Sequence, residues 1–499
     1  MQYDVIVIGG GISGSSTAFL LKQKNPALKI LIVERSKKFK RGVGEATVEV
    51  STYFLCRVLG LTQFLNETQF AKQGLRFWFA NEKASSLSEA SEIGPRYLSR
   101  LPSFLIDRSV LDEEMLRRAC AEGVDLLRPA VVKNVELNAG GMQKVKISQG
   151  EEDKEVKIFE ARWVVDASGV ATFIARQQKW KKRNEEHPTT ATWARWKGVK
   201  CWDSLEFSKR FPECASATYG VRQTATNHAI GDGWWSWWIP LKGGDVSVGV
   251  VFDSRFVDWP KDEKHPGENL KSFLMKHPVA REMLRDAEYI EGDVHWRKQL
   301  AYLSSTVAQD GVVLVGDAAA FMDPFYSPGL DWVSYTSYAA VHLISESHSG
   351  NITRDDIEKY NMTLRLSYKR WFKAIYLNKY QYIGEYDLLR IAFLLDLGLY
   401  YLGVVAKPYR FGHDALLMPP FTHWTTKGAY CFICFYNKRL AKIAERRRRL
   451  GLLGKQNNGQ RYLLNSYSLK SSDILLLRHP VWLWIKLEIR EGWRTWFSK

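Results

Sequence analysis

The chain predicts an α/β fold in three parts, on three observations. A glycine-rich turn, Gly9-Gly10-Gly11-Ile12-Ser13-Gly14, sits between an apolar strand and a helix. Residues 185–300 switch to short runs rich in Trp, Thr and Val, and from about 354 charged and apolar residues recur at spacings of three and four. Together these predict a Rossmann-type nucleotide-binding domain in two stretches, 1–184 and 301–353. A lobe of mainly antiparallel sheet fills 185–300, and a helical, basic C-terminal region fills 354–499.

Each element has its own signal. Tyr3–Ile8 is β-branched and apolar, Gly9–Gly14 turns, Ser15–Lys24 is helical and Lys29–Val33 is a second strand, so residues 3–33 form a βαβ unit. A glycine-containing loop covers Phe39–Val50, then a helical pattern runs to Ala71 and a strand covers Gly74–Phe79. Residues 107–122 place Leu111, Met115, Leu116 and Ala119 on one helical side. Val131–Leu137, Val145–Ile147 and Val156–Ile158 read as a meander, and Trp163–Asp166 as a return strand. The second lobe has strands at Thr190–Trp196, Gly233–Leu241 and Val246–Phe252. Gly311–Val315 is another parallel-type strand, and a long helix starts near Gly329.

Bulk properties set bounds. With 499 residues, 45% hydrophobic and 25% charged, the chain can bury a large core. No run of about 18 uncharged apolar residues predicts a spanning helix, and no secretory signal is visible at the start. Six cysteines argue against a disulfide framework, and Cys431-x-x-Cys434 has no second pair to complete a zinc site. We expect buried thiols, no metal and a cytoplasmic protein. The net charge is +17, of which residues 401–499 carry +13 from 18 Lys/Arg against 5 Asp/Glu. Such a surface either attracts an anionic membrane or acidic carrier, or is a solvated helical face; no nucleic-acid motif accompanies it.

Gly9, Gly11 and Gly14 form GxGxxG between strand and helix, and Glu34 follows Gly14 by 20 residues at the end of the second strand. The glycines permit a tight turn and close approach to a pyrophosphate; the acid stands where a ribose hydroxyl binds. Three further segments resemble those by which a large family of FAD oxidoreductases closes its flavin pocket. They are Ile106-Asp107-Arg108-Ser109 opening a helix, Asp166-Ala167-Ser168-Gly169, and Gly316-Asp317-Ala318-Ala319 seven residues before Pro324. That resemblance implies FAD, with Arg108 near the phosphate or sugar and Asp317 on the ribityl chain.

A tryptophan cluster, Gly233-Trp234-Trp235-Ser236-Trp237-Trp238-Ile239-Pro240, contains the pattern Trp-x-Trp-x-Ile-Pro at Trp235, Trp237, Ile239 and Pro240. Alone it reads as a strand with aromatics on both faces. With the flavin segments it resembles the flavin-dependent halogenases, nearer the phenol and pyrrole type. Gly42-Val43-Gly44-Glu45-Ala46-Thr47 resembles their flavin-covering loop, with Glu49 where proline is usual. Lys72, in Lys72-Gln73-Gly74, matches their catalytic lysine. Asp323-Pro324-Phe325-Tyr326-Ser327-Pro328-Gly329-Leu330 matches the segment at the flavin edge. There the resemblance implies halide held by Ser327, Gly329 and Leu330, although Pro328 removes one amide donor. Tyr326 stands where the free-tryptophan type has glutamate.

The resemblance implies the following chemistry. A separate flavin reductase supplies FADH2, dioxygen and chloride or bromide yield hypohalous acid, and Lys72 delivers the halogen to a small aromatic substrate, free or on an acyl or peptidyl carrier protein. The Trp-x-Trp-x-Ile-Pro wall keeps the substrate off the flavin. A related FAD monooxygenase or reductase without halide use is the alternative reading. His187, His228 and His295 are read as structural, the other reading being that one of them is a general base for a phenol. At the C-terminus, Arg446–Arg449 is a run of four arginines, and Trp482, Ile485, Ile489, Trp493 and Trp496 share a helical stripe across Pro480–Phe497. That stripe either packs on the protein's own core or makes peripheral membrane contact.

Overall fold

A computed structural model describes residues 1–149, 155–260, 265–465 and 469–496. β1 (Gln2–Ile8), α1 (Ile12–Lys24) and β2 (Ile30–Val33) build the predicted βαβ unit, with Val5–Ile8 paired in parallel to Ile30–Val33. On the other side of β1 lies the parallel strand Glu155–Asp166, which joins the predicted 156–158 and 163–166 segments in one strand. Val312–Leu314 pairs in parallel with it, and Asp125–Leu127 with β2. Among the described residues this makes an eight-stranded sheet, with Ala130–Glu136 and Gln143–Gln149 attached as an antiparallel meander. Val5–Ile8 of β1 and all of β2 are apolar and buried, as parallel strands covered on both faces must be. Arg108–Ala121 packs beside α1, capped by Asp107, whose carboxylate accepts the Ser109 N–H at 2.9 Å.

The second sheet has nine strands among the described residues. Thr189–Lys197, Val246–Asp253, Trp234–Pro240 and Thr226–Gly231 form its antiparallel body. It does not stop at the 185–300 bounds. Leu75–Phe79 pairs in parallel with Thr226–Gly231, Ser91–Pro95 pairs with Leu75–Phe79, and Arg461–Leu464 adds a last parallel strand. This strand exchange joins the two lobes, because the chain leaves the first domain, lays two strands in the second sheet and returns.

Most of the C-terminal region is helical: Gly329–His348, Arg354–Trp371, Tyr386–Tyr400, Lys427–Arg449 and Arg478–Arg490. Tyr386–Phe411 is a continuous 26-residue helical run, long and apolar enough to cross a membrane by length and composition. Yet 61% of its apolar window is buried inside the protein. Asp396 in its middle accepts hydrogen bonds from Lys379 Nζ at 2.7 Å and the Tyr326 hydroxyl at 3.2 Å. It is therefore a core helix that carries a satisfied charge.

Two C-terminal expectations change. Cys431 is exposed and Cys434 half-buried, both free, because they lie on the outer part of the Lys427–Arg449 helix. The arginine run is partly structural. Arg447 is buried among Glu385, Asp387 and Glu491, and Arg448 reaches Asp232 at 2.7 Å.

Candidate active site

A cavity of about 690 Å³ opens at the carboxyl ends of the parallel strands and runs to the tryptophan strand. Its near end is the glycine turn. Gly9 has φ +101°, and a Cβ there would lie 2.6 Å from the Ala167 carbonyl oxygen. A Cβ on Gly14 would fall on the carbonyl oxygen of Gly9. Gly11 caps α1 without a side chain, and the first turn of α1 holds no acidic residue, which suits it to an anionic ligand. Glu34 is buried; its carboxylate accepts the Gly10 and Ser36 N–H groups, each at 2.8 Å. Arg108 and Asp317 line the same cavity further along. Arg108 is held by Asp112 through two contacts of 3.1 Å. Burial pushes the Asp317 carboxyl up, against the pull of Arg297, Arg108 and Lys181.

A glycine cradle, an acid for a ribose and a long cavity with an aromatic far end fit a flavin dinucleotide. A second cavity of about 1010 Å³ lies by Asp4, Arg162 and Asp310 at the amino end of β1. Ligands of such sheets bind at the carboxyl ends, so the smaller cavity is the relevant one.

The Gly42–Thr47 loop forms one side of the cavity. Gly44 has φ +94° and makes room for the Arg108 guanidinium, which a Cβ would meet at 2.7 Å. The loop is zipped to 104–106: the Glu45 carbonyl accepts the Ile106 N–H at 2.8 Å, and the Thr47 N–H reaches the Phe104 carbonyl at 2.9 Å. Ala46 bridges to Leu105. Burial pushes the Glu45 carboxyl up to about 7, against the Arg195 guanidinium 2.5 Å away. Glu49, at the position expected for proline, accepts from the Tyr401 hydroxyl at 2.5 Å, and Ser51 donates its N–H to Asp331 at 2.8 Å. Side-chain anchors thus hold the end of the loop where a proline ring would have stiffened it.

Lys72 is 2% exposed and stands behind this loop, where Nζ donates to the Thr47 carbonyl at 2.8 Å. Burial lowers its pKa to about 8, with Glu49 and Asp331 pulling the other way. The cavity lining includes Glu45 and Ala46 but does not reach Lys72.

Trp235, Trp237 and Ile239 line the cavity, as predicted; Pro240 does not. The strand alternates, so Trp234 and Trp238 enter a separate core instead. Trp235 Nε1 donates to the Tyr380 hydroxyl at 2.7 Å, Tyr380 donates to Asp323 at 3.0 Å, and His187 contacts Asp323 at 2.7 Å. Trp237 Nε1 donates to Ser247 Oγ at 3.1 Å. The wall is therefore fixed on both indoles.

Pro324, Ser327, Gly329 and Leu330 also line the cavity. Ser327 has φ +57°, and its N–H donates to the Pro324 carbonyl at 2.9 Å. That amide is not available to a halide, contrary to expectation, because the tight turn uses it internally. Gly329 and Leu330 open the Gly329–His348 helix, so their first-turn amides have no intrahelical acceptor.

Sequence reasoning missed several residues. His228, read as structural, lines the cavity between Trp235 and Phe77. Its Nδ1 lies 2.9 Å from the Ser236 carbonyl and must carry the hydrogen, so Nε2 is an acceptor, and it has no partner among the described residues. Burial lowers its pKa to about 3, so the ring is neutral. Asp331, pushed up to about 7 by burial, and Arg195 were also unforeseen. An unclaimed histidine three residues into a strand was the one available signal. His187 and His295 pair with Asp323 and Asp293 and are structural, as expected.

The family model described as tryptophan halogenase matches residues 4–92 and 81–382. The flavin-dependent halogenase chlA of Dictyostelium discoideum is 28% identical over 400 residues, covering 73% of this chain; the match spans 64% of that protein's length. The 1H-pyrrole-2-carbonyl-[peptidyl-carrier protein] chlorinase of Pseudomonas fluorescens is 23% identical over 404 residues, covering 75% of this chain and 83% of the relative. The crystal structure of halogenase PltM in complex with phloroglucinol and FAD superposes with a TM-score of 0.73 at 17% identity, covering 91% and 94% of the two chains.

Proposed function

Because the chain belongs to the tryptophan halogenase family, we propose that it is an FAD-dependent oxidoreductase that halogenates an electron-rich, phenolic ring. One observation carries the assignment of chemistry: a lysine ammonium, 2% exposed and with a pKa brought down to about 8, set behind the loop that covers the flavin cavity. Few folds bury a lysine this deeply on one backbone hydrogen bond, with no ion pair among the described residues, unless it has a use.

When bound and reduced, by a separate flavin reductase, FAD supplies with dioxygen the oxidising equivalents that turn chloride or bromide into hypohalous acid. Gly9, Gly11 and Gly14 admit the pyrophosphate, Glu34 takes the ribose, and Arg108 and Asp317 stand beside the middle of the dinucleotide. The Gly329 and Leu330 amides hold the halide at a helix start. Trp235, Trp237 and Ile239 exclude the organic substrate, so only a small oxidant passes. His228 Nε2, neutral at working pH, accepts the O–H of hypohalous acid in transit. Lys72 donates a hydrogen bond to its oxygen. The ring carbon then bonds to halogen as the halogen–oxygen bond breaks; oxygen leaves as water, and the ring loses its proton. Tyr326 in place of an acid supports a phenolic or pyrrolic substrate over free tryptophan. One similar protein is named for chlorinating a carrier-bound pyrrole and another is bound to phloroglucinol, which supports the same reading.

The test is reconstitution with a flavin reductase, bromide and a panel of phenols, free and carrier-tethered, read by isotope pattern. Lys72→Ala is expected to abolish bromination while flavin oxidation continues. Normal bromination by that variant overturns the assignment. A hydroxylase that never uses halide is favoured by one observation, the loss of donors at both Ser327 and Pro328. A hydroxylated, bromine-free product would establish it.

A further inference from the structure

We propose that the C-terminal segment docks this protein on an anionic lipid surface. Trp482, Ile485, Ile489, Trp493 and Trp496 all face solvent, at 42% to 69% exposure. The stripe was open to two readings, inner packing or an outer contact. Inner packing is done by other residues: Pro480 and Leu487 are the buried positions of the Arg478–Arg490 helix. The helix ends at Glu491 and a short turn, Gly492–Thr495, continues it, yet the apolar face stays outward through the break. The turn before the helix adds exposed Ile474, Leu475 and Leu476. On the other side Phe435, itself exposed, approaches the Trp496 ring at 6.2 Å. The patch therefore spans two helices and two turns. A monomer rarely leaves so many large apolar side chains together in water.

Charge identifies the occupant. The two acids of the Arg478–Thr495 stretch turn inward: Glu488 pairs with Arg439 at 2.7 Å and Glu491 with Arg447 at 2.7 Å. The cations Arg478, Lys486 and Arg494 are exposed among the apolar residues, and residues 401–499 carry +13. A self-associating face would concentrate cations against cations, and interface cores are depleted in charge. Indole rings beside lysine and arginine are instead the composition of a face that settles at headgroup depth, with the ammonium and guanidinium groups reaching phosphate.

The test is flotation of the full chain with vesicles of phosphatidylcholine alone or with one-third phosphatidylglycerol. We expect co-flotation with the anionic vesicles, weakened by salt. Trp482→Ser/Ile489→Ser/Trp493→Ser should lower the bound fraction by at least about tenfold, with flavin content unchanged. Lys486→Glu/Arg494→Glu, whose side chains point outward, keeps the test valid should the triple variant fold poorly, and should also lose binding. The proposal fails if the chain floats with neither vesicle, or if both variants float like the parent. It also fails if the parent is a dimer that the triple variant makes monomeric, or if it binds an acidic carrier protein and no vesicle.

Discussion

Two sets of tryptophans in this molecule behave oppositely. In the strand Trp234–Pro240 three indoles are enclosed and their N–H groups are spoken for: Trp235 by Tyr380, Trp237 by Ser247, Trp238 by Ser236. Trp482 and Trp493 are about half exposed, at 52% and 53%. The same side chain is a wall where its polar atom is bonded and its ring is packed, and an adhesive surface where the ring is open to solvent beside a cation, Lys486 for Trp482 and Arg494 for Trp493. What distinguishes them is the backbone beneath. An alternating strand in the middle of a sheet buries both faces, whereas a helix at the margin has one face to spare.

This contrast can be broken by experiment. The largest effect should come from Trp235→Ala, which empties a packed site and removes the bond the Tyr380 hydroxyl accepts, leaving the one it donates to Asp323; about 3–5 kcal/mol should be lost in denaturant unfolding. Next, His228 beside Trp235 is neutral in the fold, with a pKa of about 3, and near 6.5 when unfolded. Between those values the unfolded chain binds the extra proton, so stability falls as pH drops below about 6.5. From there to pH 5 this histidine's share of the loss is about 2 kcal/mol, and His228→Gln should remove that share while His277, which burial also lowers to about 3, keeps its own; an unchanged acid dependence would contradict neutral burial of His228. Trp235→Phe keeps most of the ring but not the bond to Tyr380, and should cost about 1–2 kcal/mol. Trp482→Ala and Trp493→Ala should each change stability by no more than about 0.5 kcal/mol. A large loss from either would mean the C-terminal indoles are structural after all.

Local signals were legible in the sequence and long-range ones were not. The βαβ unit, Glu34, the Asp107-capped helix and the alternation of the tryptophan strand all depend on neighbours within a few residues, and each stands where it was expected. The recruitment of Leu75–Phe79, Ser91–Pro95 and Arg461–Leu464 to the second sheet was invisible, because a strand's own pattern does not say which edge it joins. The Ser327 amide was assigned to halide because the turn that consumes it depends on two consecutive residues with positive φ, Tyr326 and Ser327. Lys72 was found from its context, but its seat behind Thr47, and the company of Glu49, Asp331 and His228, required tertiary structure. The C-terminal stripe was legible as a stripe, yet its direction was not, since core packing and surface docking share one periodicity.

Arg439 and Arg447 have a consequence for handling this protein. Both guanidiniums are almost wholly enclosed, and each draws a carboxylate from the last helical segment, Glu488 and Glu491 respectively. Truncation ahead of Pro480 would take from Arg439 its Glu488 partner and from Arg447 one of three carboxylates, leaving it Glu385 and Asp387, a change expected to cost several kcal/mol. The end of the chain is thus a keystone and not a tail, and its lipid-facing role must be dissected by surface substitution with the ion pairs left in place.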